Sequence, residues 1–246
     1  PLASLTTTAN TTASIAGGTI ETSGNQTYGG VVSLAADAEL IGDTGSFAAG
    51  VEGNTNSLTL NFTSESAIGN GFANLTNLTS IGDVATNGSI STLNNQTYLA
   101  NVTLAGNTTL TGNDVTFTKG VVGAGNDLTL NFAATTALDG SFANLANLTS
   151  VGDVSVNGTI STTVDQTYQA NVTLLGDTVL EGNAASFATG VIGDDNDLTL
   201  NFTSTTALDG SFANLANLTS DGDVTLNGTI ETTVDQTYQA NVTLLG

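Results

Sequence analysis

The feature that most constrains this chain is its own repetition. Gln-Thr-Tyr ends at Tyr28, Tyr98, Tyr168 and Tyr238, and Leu-Asn-Phe ends at Phe62, Phe132 and Phe202, always seventy positions after the last. Phe47, Phe117 and Phe187 keep the same interval, as do Phe72, Phe142 and Phe212, so all 4 Tyr and 9 Phe belong to the repeat. No insertion breaks the register. Residues 141–176 match 211–246 except at 151/221, 155/225, 156/226 and 161/231. Exact repetition points to stacked units that bury one another's apolar faces. The chain therefore reads as one elongated domain, 1–246, with units of approximately 1–70, 71–140, 141–210 and a partial 211–246.

The local pattern has period two. In Tyr168-Gln169-Ala170-Asn171-Val172-Thr173-Leu174 the even positions are apolar and the odd ones polar, as expected of half-buried strands. Glycines, 29 in all, and Asn-Gly or Gly-Asp pairs such as Asn157-Gly158 and Gly152-Asp153 supply tight corners. Asn-Gly between alternating runs would also suit antiparallel hairpins, in a sandwich or propeller. Short strands on equal coils favour an all-β parallel β-helix, a β-solenoid. Val172-Thr173-Leu174, Leu198-Thr199-Leu200 and Val224-Thr225-Leu226 begin twenty-six positions apart, and Val242 follows after eighteen. That spacing predicts about three coils per repeat, each about 23 residues long, and about 10 coils over about 50 Å. Val172, Leu198 and Val224 would then stack as one inner ladder, with Thr173, Thr199 and Thr225 lining one outer face. Residues seventy apart would lie directly above one another.

Composition excludes whole classes of chemistry. Cys and His are absent, which removes Cys/His zinc sites, thiol chemistry and a Ser–His couple. One Lys against 22 acidic residues gives a net charge of −21, so nucleic acid is not expected as a partner. No run is apolar enough to span a bilayer as a helix. The chain opens with Pro1 and closes within a motif at Gly246, which reads as a processed or excised piece of something longer.

Pro1-Leu2-Ala3-Ser4-Leu5, Gly18-Thr19-Ile20 and Gln26-Thr27-Tyr28 resemble the repeat tracts of filamentous-haemagglutinin-type exoproteins, whose relatives include two-partner-secreted bacterial adhesins. The resemblance implies a right-handed parallel β-helix, exported to the cell surface and used in adhesion, aggregation or biofilm. On it rests the expectation of an extracellular structural rod or fibre, its partners being itself, by end-to-end stacking, and host or neighbouring cell surfaces. A receptor- or carbohydrate-binding stalk segment is the alternative, and exposed rows of Tyr28, Tyr98, Tyr168 and Tyr238 would favour it. All Tyr and Phe are instead expected to point inward.

An active site needs groups that break the repeat, and few do. Lys119 stands where Ala49 and Thr189 stand in neighbouring units, and Glu65, between Ser64 and Ser66, lacks an acid–base partner. A polysaccharide-degrading β-helix would need two carboxylates about 5–10 Å apart in a cleft. The chain is thus not expected to be an enzyme, nor to need a cofactor. Calcium is the better chemistry: Asp194, Asp195 and Asp197 share one turn, and Asp221 and Asp223 flank a glycine, giving the oxygen cluster a hard cation takes. Asp194 and Asp195 are, however, replaced by Ala124 and Gly125 one unit earlier, so diffuse screening by cations is the competing reading. Asp83, Asp153 and Asp223 recur at one corner, where an Asp usually bonds its own backbone. Asn144, Asn147, Asn214 and Asn217 are expected to stack inward as amide ladders. A row of outer threonines could also bind ice, but the residues two beyond Thr173, Thr199 and Thr225 are Leu175, Asn201 and Asn227. Asn-x-Ser/Thr sequons, among them Asn61, Asn101, Asn171, Asn201, Asn217 and Asn241, matter only in a source that glycosylates them.

Overall fold

A computed structural model describes residues 1–245. Among them are strands, turns and no helix, and every paired strand is parallel to its neighbours. The chain is a β-solenoid whose strands stack about 19 residues apart. It divides into two compact units, Pro1–Val121 and Val122–Gly246.

In the first unit three short strands make one turn. Gln26–Tyr28, Val32–Leu34 and Ala38–Gly42 lie on three successive faces, and Gly45–Phe47 returns to pair with Gln26–Tyr28. The first face continues through Ser66–Ile68 and residues 84–86 and 102–104. The third carries Gly18–Glu21, Ala38–Gly42, Leu58–Phe62, Leu78–Ser80, Asn95–Tyr98 and Asp114–Phe117. Residue spacing between turns varies with the corner: Leu58 pairs with Leu78, whereas Leu78 pairs with Gln96. The second unit has the same plan. One of its faces stacks Leu128–Phe132, Leu148–Ser150, Asp165–Tyr168 and Ala184–Phe187, followed by residues 206–208 and 224–226 and by Val242–Leu244.

These registers correct the expected phase. From Gln26–Tyr28 to the equivalent strand at Asn95–Tyr98 the chain lays down eleven strand segments, the strand Val84–Thr92 bending to serve two faces. Three segments make a turn, so one full repeat makes three and two-thirds turns. Each turn takes about 19 residues, fewer than the spacing of the triplets suggests. Tyr28 is stacked with Phe47 on the first face, but Tyr98 is stacked with Ser80 on the third. In the second unit Tyr168 pairs with Ser150 and Phe187, and Tyr238 with Ser220 on a different face. Residues seventy apart do not lie above one another. The expected inner ladder fails for the same reason: Val172 stacks on Val154, Leu198 on Thr178, and Val224 on Thr206. Thr173, Thr199 and Thr225 accordingly lie on three faces, not one. The apolar–Thr–apolar motif marks a face, and the step from Val172 to Leu198 crosses four of them.

Inward positions are closed to water. All nine Phe are buried, and Tyr28, Tyr98 and Tyr168 are no more than 1% exposed. Tyr28 stacks flat on Phe47 at 5.1 Å, whose edge meets Phe72 at 5.3 Å; Tyr168, Phe187 and Phe212 repeat the arrangement. Tyr238, in the last described turn, is half-buried.

Candidate functional site

Alternation sends every second side chain outward, so any site must be built from the outer files and the corners. In the first unit Thr59, Thr79, Thr97 and Thr116 form an in-register outer ladder. Two residues on from Thr79 and Thr97 stand Ile81 and Leu99, 40% and 43% exposed. In the second unit the equivalent ladder runs Thr129, Thr149, Thr167 and Ser186 on one face, and Thr199, Thr219 and Thr237 form another on a different face.

At the corners each acidic or amide side chain reaches the next turn. Asp153 Oδ1 accepts from the Asn171 backbone N–H at 3.0 Å and from Asn171 Nδ2 at 3.1 Å. Asp83 does the same for Asn101, and Asp223 for Asn241. These aspartates therefore cap the turn above rather than their own backbone. A second corner is built alike: Asn147 N–H donates to Asp127, and Asp165 N–H to Asn147. Such bonds satisfy backbone donors that the strand ladder leaves over where the chain bends.

The candidate calcium residues divide among these roles. Asp197 accepts from the backbone and side chain of Asn217, at 3.1 and 2.7 Å, and its own N–H donates to Asp177. Asp221 accepts from Gln239 Nε2 at 2.7 Å, and Asp223 is engaged by Asn241. Asp194 and Asp195 are exposed, with φ of 49° and 62°, in a left-handed turn. Among the described residues no three His, Cys, Asp or Glu side chains come together as a group able to hold a metal.

Lys119 and Glu65 are both exposed. A shallow groove in the first unit, lined by Phe47, Ala67, Ile68, Asn70, Ala85 and Asn87 among others, has no carboxylate in its wall. Asp37 and Glu39 do share a dent on the third face of that unit, but Asp37 accepts from Ser57 N–H and Glu39 from Asn61 Nδ2.

The polar groups that the sequence pattern placed inside are not the ones found there. Asn144 and Asn214 are exposed, with φ of 54° and 55°, each at a bulge where the register slips between Phe and Leu. Asn tolerates this left-handed geometry, which turns its side chain out of the core. Asn147 and Asn217 sit half-buried at corners, bonded to Asp127 and Asp197. The buried amides are Gln26, Gln96 and Gln166. Tyr168 hydroxyl donates to Gln166 Oε1 at 2.8 Å, while Gln166 Nε2 donates to the carbonyls of Ile160 and Glu181. The signal was present in Gln-Thr-Tyr, since residues i and i+2 of a strand share a face.

No family model matches this chain, and no curated protein or solved structure is significantly similar to it.

Proposed function

We propose that the chain is a structural, non-enzymatic segment: a rigid solenoid forming part of an extracellular rod or fibre at a bacterial cell surface, in adhesion, aggregation or biofilm matrix. The observation that carries this reading is how the outer polar groups are used. Aspartates that another fold would aim at a ligand are bonded to the turn above, as in Asp153 to Asn171 and Asp197 to Asn217. Surface chemistry is thereby committed to holding turns together. The repeat style shared with filamentous-haemagglutinin-type exoproteins supports the same role.

Self-association is the partner this reading favours. Turns of one plan stack on one another by parallel strand pairing among the described residues, and the same pairing between copies would extend a fibre. A carbohydrate-binding stalk has less support, because all nine Phe and Tyr28, Tyr98 and Tyr168, which would form a sugar platform, are buried in the core. Electron microscopy of the purified chain tests the proposal. Unbranched fibres that lengthen with protein concentration are expected; single short particles at every concentration would remove self-stacking and leave at most a stalk segment.

A further inference from the structure

We infer that the repeat is a rotation device: each whole repeat carries the surface that follows it on to another face of the three-sided solenoid. Eleven strand segments per repeat on three faces leave a remainder of two segments, so equivalent residues cannot share a column. In the first unit Thr27 aligns with Ser46, Ala67, Ala85 and Thr103, while its equivalent Thr97 aligns with Thr79 and Thr116. In the second unit Thr167 and Thr237 likewise fall on two faces.

The consequence is an interaction surface shown in several directions. The outer threonine ladder led by Thr129 faces one way and the ladder led by Thr199 another, within a single unit. A binding partner that reads a repeat's surface therefore meets it on successive faces, which suits multivalent contact. Adding or losing one repeat within a unit changes the side on which every later feature of that unit stands. This holds whether the segment serves as a fibre or as a stalk.

Paired spin labels on the full chain test it, and the absence of native Cys makes the labelling clean. Thr27, Thr97 and Thr103 all point outward, so Thr27→Cys is paired with either Thr97→Cys or Thr103→Cys. Dipolar EPR is expected to give a shorter distance for 27/103, which share a face four turns apart, than for 27/97, which are closer in sequence but on different faces. The same order is expected for 167/243 against 167/237 in the second unit, which keeps the test alive if one set folds poorly. Equal distances, or a shorter 27/97 or 167/237, would overturn the inference.

Discussion

At the residue scale the core is mostly apolar, and its polar members are paired with one exception. Thr206 is 1% exposed, and its Oγ1 is the buried side-chain polar atom without a hydrogen-bond partner among the described residues. An unpaired buried hydroxyl costs about 1–3 kcal/mol. Thr206→Val keeps the branched shape and removes the orphan group. The variant should be about 1 kcal/mol more stable in urea; a loss of stability would mean that the hydroxyl has a partner. The tyrosines give a second expectation. Burial pushes Tyr28 up from its ordinary 10.0 to about 12, and pushes Tyr98 and Tyr168 further still. A phenol whose folded value is raised stabilises the fold fully below the unfolded value and progressively less as pH climbs towards the folded one. Stability should therefore be flat through neutral pH and fall from about pH 10 upward. In an absorbance titration the partly exposed Tyr238 should ionise first, and Tyr98 and Tyr168 only as the fold is lost. Four phenols titrating together near pH 10 in a folded chain would contradict the buried stacking.

At the scale of the strand and its corner, the spacing between turns is set by contacts that do not show in the pattern of apolar residues. Gly82, Gly152 and Gly222 follow equivalent strands, and a Cβ at each would lie 1.9, 2.2 and 2.1 Å from the carbonyl oxygens of Phe62, Phe132 and Phe202. The turns approach so closely there that only glycine fits. Gly222→Ala should cost about 1–3 kcal/mol or more, because backbone rather than a yielding side chain is in the way. Gly222 is not among the positive-φ glycines, so its cost is the clash alone, whereas alanine at Gly125, where no atom lies within 4 Å, meets only the strain of a φ of +80°. A Gly222→Ala chain with an unchanged urea midpoint would refute the close approach. The strands themselves, their alternation and the inward Phe and Tyr were legible in the sequence. The turn length was not, because every face carries a similar apolar–Thr–apolar triplet. A step such as Val172 to Leu198 looks like a whole coil when it is four faces. Only the pairing of Val172 with Val154 distinguishes the two. Corner Asp and Asn were legible as turn residues but not as ties, since their partners, 18 to 20 residues away, depend on that same register.

For the whole molecule charge outweighs every other surface property. A net charge of −21 with one lysine means that stacking turns also stacks carboxylates, and self-repulsion opposes the compact state. Corner ties fix some of these charges in place: Asp177 and Asp197 are one turn apart and linked through the Asp197 N–H. Exposed charges at such spacings are screened by salt, with a Debye length of about 10 Å at 0.1 M and about 30 Å at 0.01 M. The urea midpoint should consequently rise as NaCl is raised from about 0.01 M to about 0.5 M, where screening is nearly complete. Calcium separates screening from a site. Asp197, Asp221 and Asp223 are each held at Oδ1 by donors of the next turn, and among the described residues no three acidic side chains come together to chelate an ion. Calcium chloride at matched ionic strength should then match sodium chloride in its effect. A further, saturable rise at low calcium, lost in Asp194→Asn/Asp195→Asn, would instead place a specific ion in the turn that the neighbouring repeat lacks.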